Sequence, residues 1–123
     1  MKRRTHLTLL AAVVGLALAA SLQAAPGVAN LAASVGPDQG SRSPISITKG
    51  GARFATLRAG AYRLTVRDRA KEHNFYLYGP GVAVRTGVEA VGTRVFTVTF
   101  RKGLYRFLCT VDPLTMKGSF RVT

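Results

Sequence analysis

The sequence of 123 residues has one cysteine, no tryptophan and two histidines, and only 5 Asp+Glu stand against 18 Lys+Arg. Each shortage excludes something. One cysteine cannot build a disulfide framework, a multi-cysteine zinc finger or an iron–sulfur site. Two histidines cannot make a three-histidine catalytic metal centre. Five carboxylates leave little for an acidic metal site or a paired-carboxylate hydrolase. The length fits one domain. The surplus of positive charge, a formal +13, invites a nucleic-acid reading that the rest of the sequence has to support.

The first 25 residues read as an export address. Lys2, Arg3 and Arg4 start it, Leu7 to Ala20 is an uncharged apolar run, and Ala24 and Ala25 offer small residues for cleavage. This is a signal helix, with cleavage after Ala24. An uncleaved membrane anchor competes, because Leu7–Ala25 approaches spanning length. Arg3-Arg4 gives only a weak twin-arginine pattern. The expected location is secreted or periplasmic, in a bacterium. Nucleic acid is then an unsuitable partner, and no DNA- or RNA-reading motif is present. Without the segment, 15 basic residues face 5 acidic ones, a net +10, and His73 and Cys109 remain as single representatives of their types. The basic side chains fall mostly at outward strand positions and turns. They form a solvated face or a docking surface for an anionic partner or anionic surface.

Residues 26–42 are rich in Ala, Gly, Ser and Pro and read as a flexible lead-in. A domain of short strands follows over 43–123. Tyr62, Leu64 and Val66 alternate with Arg63, Thr65 and Arg67, and Phe96, Val98 and Phe100 alternate with Thr97, Thr99 and Arg101. Gly-containing turns separate such runs, and no stretch sustains a helical period. The fold class is all-β, a single Greek-key β-sandwich, expected as a monomer. An internal echo supports it. Residues 57–66 (LRAGAYRLTV) align with residues 100–109 (FRKGLYRFLC). In each copy a tyrosine is expected to close a β-corner, and Cys109 takes the slot of Val66. The plain reading of Cys109 is therefore a buried small apolar residue.

Two further segments stand out: His73-Asn-Phe-Tyr-Leu-Tyr-Gly-Pro-Gly-Val82, and Cys109-Thr-Val-Asp-Pro-Leu-Thr-Met116-Lys-Gly-Ser-Phe120. Together with the strand pattern they resemble the cupredoxins, the blue-copper proteins, and especially small secreted bacterial cupredoxin-like domains. The resemblance spans roughly residues 35–123. It implies a type 1 copper site of thiolate, two imidazoles and a weak axial thioether. His73 would be the upstream imidazole on a strand. Cys109 would be the thiolate and Met116 the thioether, both in the loop between the last two strands. Asn74 would brace that loop by hydrogen bonds.

The second imidazole is missing. The resemblance implies histidine three residues after the cysteine, where Asp112 stands; sliding the Asp-Pro pair puts Leu114 there instead. Three readings stay open. Asp112 is a ligand and favours Cu(II). Or copper binds through His73, Cys109 and Met116 with water in the open position. Or the site is dead, and Asp112-Pro113 only starts a turn. The leading expectation is an exported copper-binding protein in copper handling or electron transfer, meeting a redox or copper-donor protein. A membrane association is expected only if the signal segment stays uncleaved. The rival is a metal-free β-sandwich binding module for a partner or cell-surface component. A catalytic role is not expected.

Overall fold

The computed structural model describes residues 27–42 and 44–123. The signal-helix reading therefore lies outside the described residues. Among the described residues nine strands form: β1 (Ala29–Val35), β2 (Ile45–Thr48), β3 (Thr56–Leu57), β4 (Gly60–Asp68), β5 (Tyr76–Gly79), β6 (Val82–Arg85), β7 (Gly92–Phe100), β8 (Gly103–Leu108) and β9 (Lys117–Val122). No helix occurs among the described residues. The strands make two mixed sheets, ordered β2-β1-β4-β7 and β3-β9-β8-β5-β6. The all-β Greek-key sandwich expected from the alternation is the fold that forms.

The inward positions follow the period of two. Tyr62, Leu64 and Val66 on β4, Val98 and Phe100 on β7, and Tyr105 and Phe107 on β8 are all buried. They meet Leu31, Ala33 and Val35 of β1 in one core. Here the sequence reading needs correction, because the stretch taken as a loose lead-in contributes β1. Its Ala and Asn residues have low strand propensity. Tertiary pairing decides instead: β1 lies parallel to β4 over Ala29↔Tyr62 to Val35↔Asp68 and antiparallel to β2. With an alternation of small residues, β1 fills an inner position between two other strands.

The internal echo is structural. Tyr62 Oη donates to the carbonyl of Arg58 at 2.7 Å. Tyr105 Oη stands 3.1 Å from both the amide and the carbonyl of Arg101 and donates to the Pro80 carbonyl at 2.7 Å. Each tyrosine reaches back four residues to close its corner. Four residues beyond each tyrosine, Val66 and Cys109 are both fully buried.

Gly79 shows how closely the chain passes the Tyr105 ring. A Cβ there would collide with the ring carbon Cδ1 and stand 2.9 Å from the Leu104 carbonyl oxygen. Two outcomes follow. Tyr105→Phe is expected to cost about 1–2 kcal/mol through the lost corner bonds, and Gly79→Ala about 1–3 kcal/mol through overpacking. Urea unfolding checks both; a Tyr105→Phe protein as stable as wild type contradicts the corner role.

Candidate metal centre

The site lies at one end of the sandwich, where three connections meet. His73 is in the turn after β4, three residues before β5, and so in a loop rather than on the strand expected for it. Cys109 is one residue past β8, and Met116 one residue before β9. The backbone folds the last connection tightly. The Cys109 amide donates to the Met116 carbonyl at 3.0 Å, and the Met116 amide to the Asp112 carbonyl at 3.0 Å. These bonds set Met116 beside Cys109, and both side chains are fully buried. Phe75 and Phe107, each two residues from a site residue, stack with centroids 5.9 Å apart and join the two approaching segments.

The His73 ring is the hub. Its Nδ1 lies 3.6 Å from Cys109 Sγ and 3.3 Å from Asp112 Oδ2. Its Nε2 lies 3.0 Å from Asp38 Oδ1. The ring is 4% exposed, whereas the carboxylates of Asp38 and Asp112 are about half exposed at the rim. Asn74 ties the connections together. Its Oδ1 accepts from the Thr110 amide at 2.8 Å and from the Thr110 hydroxyl at 3.1 Å. Its Nδ2 donates to the Thr86 carbonyl at 3.1 Å, and its own amide points at Cys109 Sγ from 3.5 Å. The Thr86 hydroxyl in turn accepts from the Phe75 amide at 2.9 Å.

These contacts bias both protonation equilibria. Burial pulls the His73 imidazolium down, but hydrogen bonds and charge from Cys109 and Asp38 outweigh it, so its pKa is raised. Burial pushes the Cys109 thiol up, but hydrogen bonds from the amides of Asn74, Asp112 and Val111 and from His73 outweigh it, so its pKa is lowered. Both shifts move the pair toward thiolate and imidazolium, and a thiolate is the form that binds metals.

Asp68, at the end of β4, is 1% exposed. One carboxylate oxygen accepts from the Ala70 amide at 2.9 Å. The other, Oδ2, has no hydrogen-bond partner among the described residues. Burial raises its pKa, against the lowering effects of the Ala70 bond and of His73.

The structure therefore brings His73, Cys109, Asp112 and Met116 to one end of the fold and leaves Leu114 outside, 83% exposed. Asp38 was missed from the sequence because it falls in the stretch taken as lead-in. Only the turn-like Gly36-Pro37-Asp38 marks it.

A scan against protein-family models finds no match, and a search of curated proteins finds none. Solved structures do match. The copper protein rusticyanin has a TM-score of 0.58 at 17% identity, with 76% of each chain covered. A reduced form of rusticyanin gives 0.54 at 18% identity, covering 76% of this chain and 78% of that one. Rusticyanin from Thiobacillus ferrooxidans gives 0.51 at 21% identity, again with 76% of each chain covered. The chain has a cupredoxin-like fold.

Rusticyanin is a copper protein, and the side chains gathered here can be tested as donors for such an ion. Among the described residues no group of three or more His, Cys, Asp and Glu side chains forms a ready metal cage. Two pairs of side chains, His73 with Cys109 and His73 with Asp112, do stand at the separation of neighbouring donors. Metal bonds of about 2.0–2.3 Å in a tetrahedral arrangement place neighbouring N, O and S donors about 3.3–3.6 Å apart, and the contacts measured here are 3.3 and 3.6 Å. Met116, buried one residue before β9, is the further donor that the last connection brings to this end of the fold. The set fits a copper ion held by one imidazole, with a carboxylate beside the sulfur donors. It does not fit a site that needs two.

Two outcomes are expected of the metal-free protein. Thiolate absorbance of Cys109 should titrate below the ordinary thiol range, and His73→Gln should move that midpoint upward; no movement contradicts the His73–Cys109 coupling. For Asp68 the folded state holds the proton more tightly than the unfolded state. Stability therefore falls as pH rises from the ordinary carboxylate range through the raised value. Asp68→Asn removes that loss and should stabilise by about 1 kcal/mol at pH 7, with a smaller gain at pH 4, measured by urea unfolding. A loss of stability at pH 7 contradicts this.

Proposed function

We propose that this chain is an exported cupredoxin-fold protein that binds copper at a degenerate type 1 site and serves in copper handling. The observation that carries the reading is the placement of Asp112. It occupies the position three residues after Cys109, and its Oδ2 is 3.3 Å from His73 Nδ1. A carboxylate thus stands where the second imidazole is wanted. His73 Nδ1, Cys109 Sγ, Asp112 Oδ2 and the Met116 thioether would hold the ion.

Copper supplies a one-electron couple when bound. The residues bias it. A carboxylate is a harder donor than imidazole and favours Cu(II), which lowers the potential and departs from blue-copper geometry. Burial of His73, Cys109 and Met116 keeps water from that side, while the half-exposed carboxylates of Asp38 and Asp112 give a cation a way in. The basic start at Lys2, Arg3 and Arg4 and the uncharged apolar run from Leu7 to Ala20 support export. The net positive charge of the remaining chain supports an acidic copper-donor or redox partner, which would meet it with complementary charge.

Titration of the purified, reduced protein with Cu(II) and then Cu(I) tests the reading. We expect stoichiometric binding, Cu(II) bound more tightly than Cu(I), and a thiolate-to-copper absorption band. Cys109→Ser should remove the band. Asp112→His should intensify it and raise the reduction potential. Binding of neither ion with Cys109 reduced overturns the proposal and leaves the metal-free β-sandwich binding module.

A further inference from the structure

Asp38 lies in the connection between β1 and β2, on the far side of the His73 ring from Cys109 and Asp112. We propose that Asp38 is the positioning residue of the metal site: its carboxylate holds the Nε2 proton, fixes the ring, and leaves the Nδ1 lone pair facing Cys109 and Asp112. The inference rests on the copper reading above and deepens it.

The chemistry is one of matching donors and acceptors. An ionised carboxylate only accepts, and Asp38 Oδ1, 3.0 Å from Nε2, stands closer to the ring than Asp112 Oδ2, 3.3 Å from Nδ1, so the hydrogen is favoured on Nε2. In the neutral ring the other nitrogen, Nδ1, then has the lone pair that a metal takes. A carboxylate on the remote ring nitrogen also makes the imidazole a stronger donor.

The position of Asp38 is built into the fold. Gly36 enters the connection with φ 59°, and a Cβ there would stand 2.5 Å from the Ala70 Cβ. Only glycine lets the two segments pass so closely. The Gly36 amide donates to the Pro44 carbonyl at 2.9 Å, and the Arg69 amide to the Val35 carbonyl at 3.0 Å. The Asp38 connection is thereby fastened to the 68–73 turn that carries His73.

Charge adds a second argument. Of the five acidic residues in a chain of formal net charge +13, Asp38 and Asp112 touch His73 and Asp68 interacts with it through space. A basic protein that gathers its few carboxylates around its one described histidine concentrates negative potential there. That potential favours the doubly charged ion over the singly charged one.

The test compares wild type, Asp38→Asn and Asp38→Ala as full-length proteins. In the metal-free arm, nitrogen-resolved NMR reads the His73 ring at a pH where it is neutral. Wild type and Asp38→Asn, which keeps an acceptor, should show the proton on Nε2; Asp38→Ala should lose that preference. In the copper arm, Asp38→Ala should bind Cu(II) about tenfold to a hundredfold more weakly. Asp38→Asn should lower the Cu(II)-to-Cu(I) affinity ratio about tenfold, a rise in potential of about 59 mV. An unchanged Nε2 preference in Asp38→Ala overturns the proposal, as does an unchanged affinity ratio in Asp38→Asn. If wild type binds no copper, the copper reading fails by itself, and the metal-free arm still decides whether Asp38 orients the ring.

Discussion

The His73 ring is gripped through both nitrogens, by Asp38 on one side and by Cys109 with Asp112 on the other. The rest of the site depends on this double grip. The ring is buried, so each nitrogen needs a partner, and each partner comes from a different connection. Asp38 arrives from the link between β1 and β2, and Cys109 and Asp112 from the link between β8 and β9. The two sheets must therefore be closed, and their ends in register, before the site exists. Asn74, next in the chain, extends the same coupling by tying Thr110 to Thr86.

The scaffold suits that demand. The two tyrosine corners fix the starts of β4 and β8, and each of these strands delivers a fully buried residue four positions on. In β4 that residue is Val66, which only packs. In β8 it is Cys109, whose surroundings lower the thiol pKa despite burial. One structural unit, used twice, places a valine in the core of one sheet and a thiol beside His73 at the end of the other.

The strands were legible because alternation of apolar and polar residues maps directly onto the two faces of a sheet, as in Tyr62-Arg-Leu-Thr-Val66. His73, Cys109 and Met116 were legible because their types are scarce and their spacing matches a resemblance. β1 was not, because its Ala-rich sequence carries little strand signal and its place is set by parallel pairing with β4, 33 residues away. Asp38 was hidden for the same reason: its partner is 35 residues distant. No local pattern marks a carboxylate that matters only after two sheets close. Asp112 was visible as a departure from the expected histidine, but only the fold shows that its carboxylate faces the His73 ring.

The cupredoxin-like fold is thus combined with an unusual donor set: one imidazole, one thiol, one thioether and a carboxylate, with a second carboxylate behind the imidazole. With copper bound as proposed, such a set would trade the softness of a second histidine for negative charge and so favour Cu(II). Pulsed electron paramagnetic resonance on the Cu(II)-loaded protein tests this most directly, because the remote nitrogen of each coordinated imidazole modulates the signal. A single imidazole, lost in His73→Gln, is the predicted result. Modulation from two imidazoles, or from none, would contradict the account.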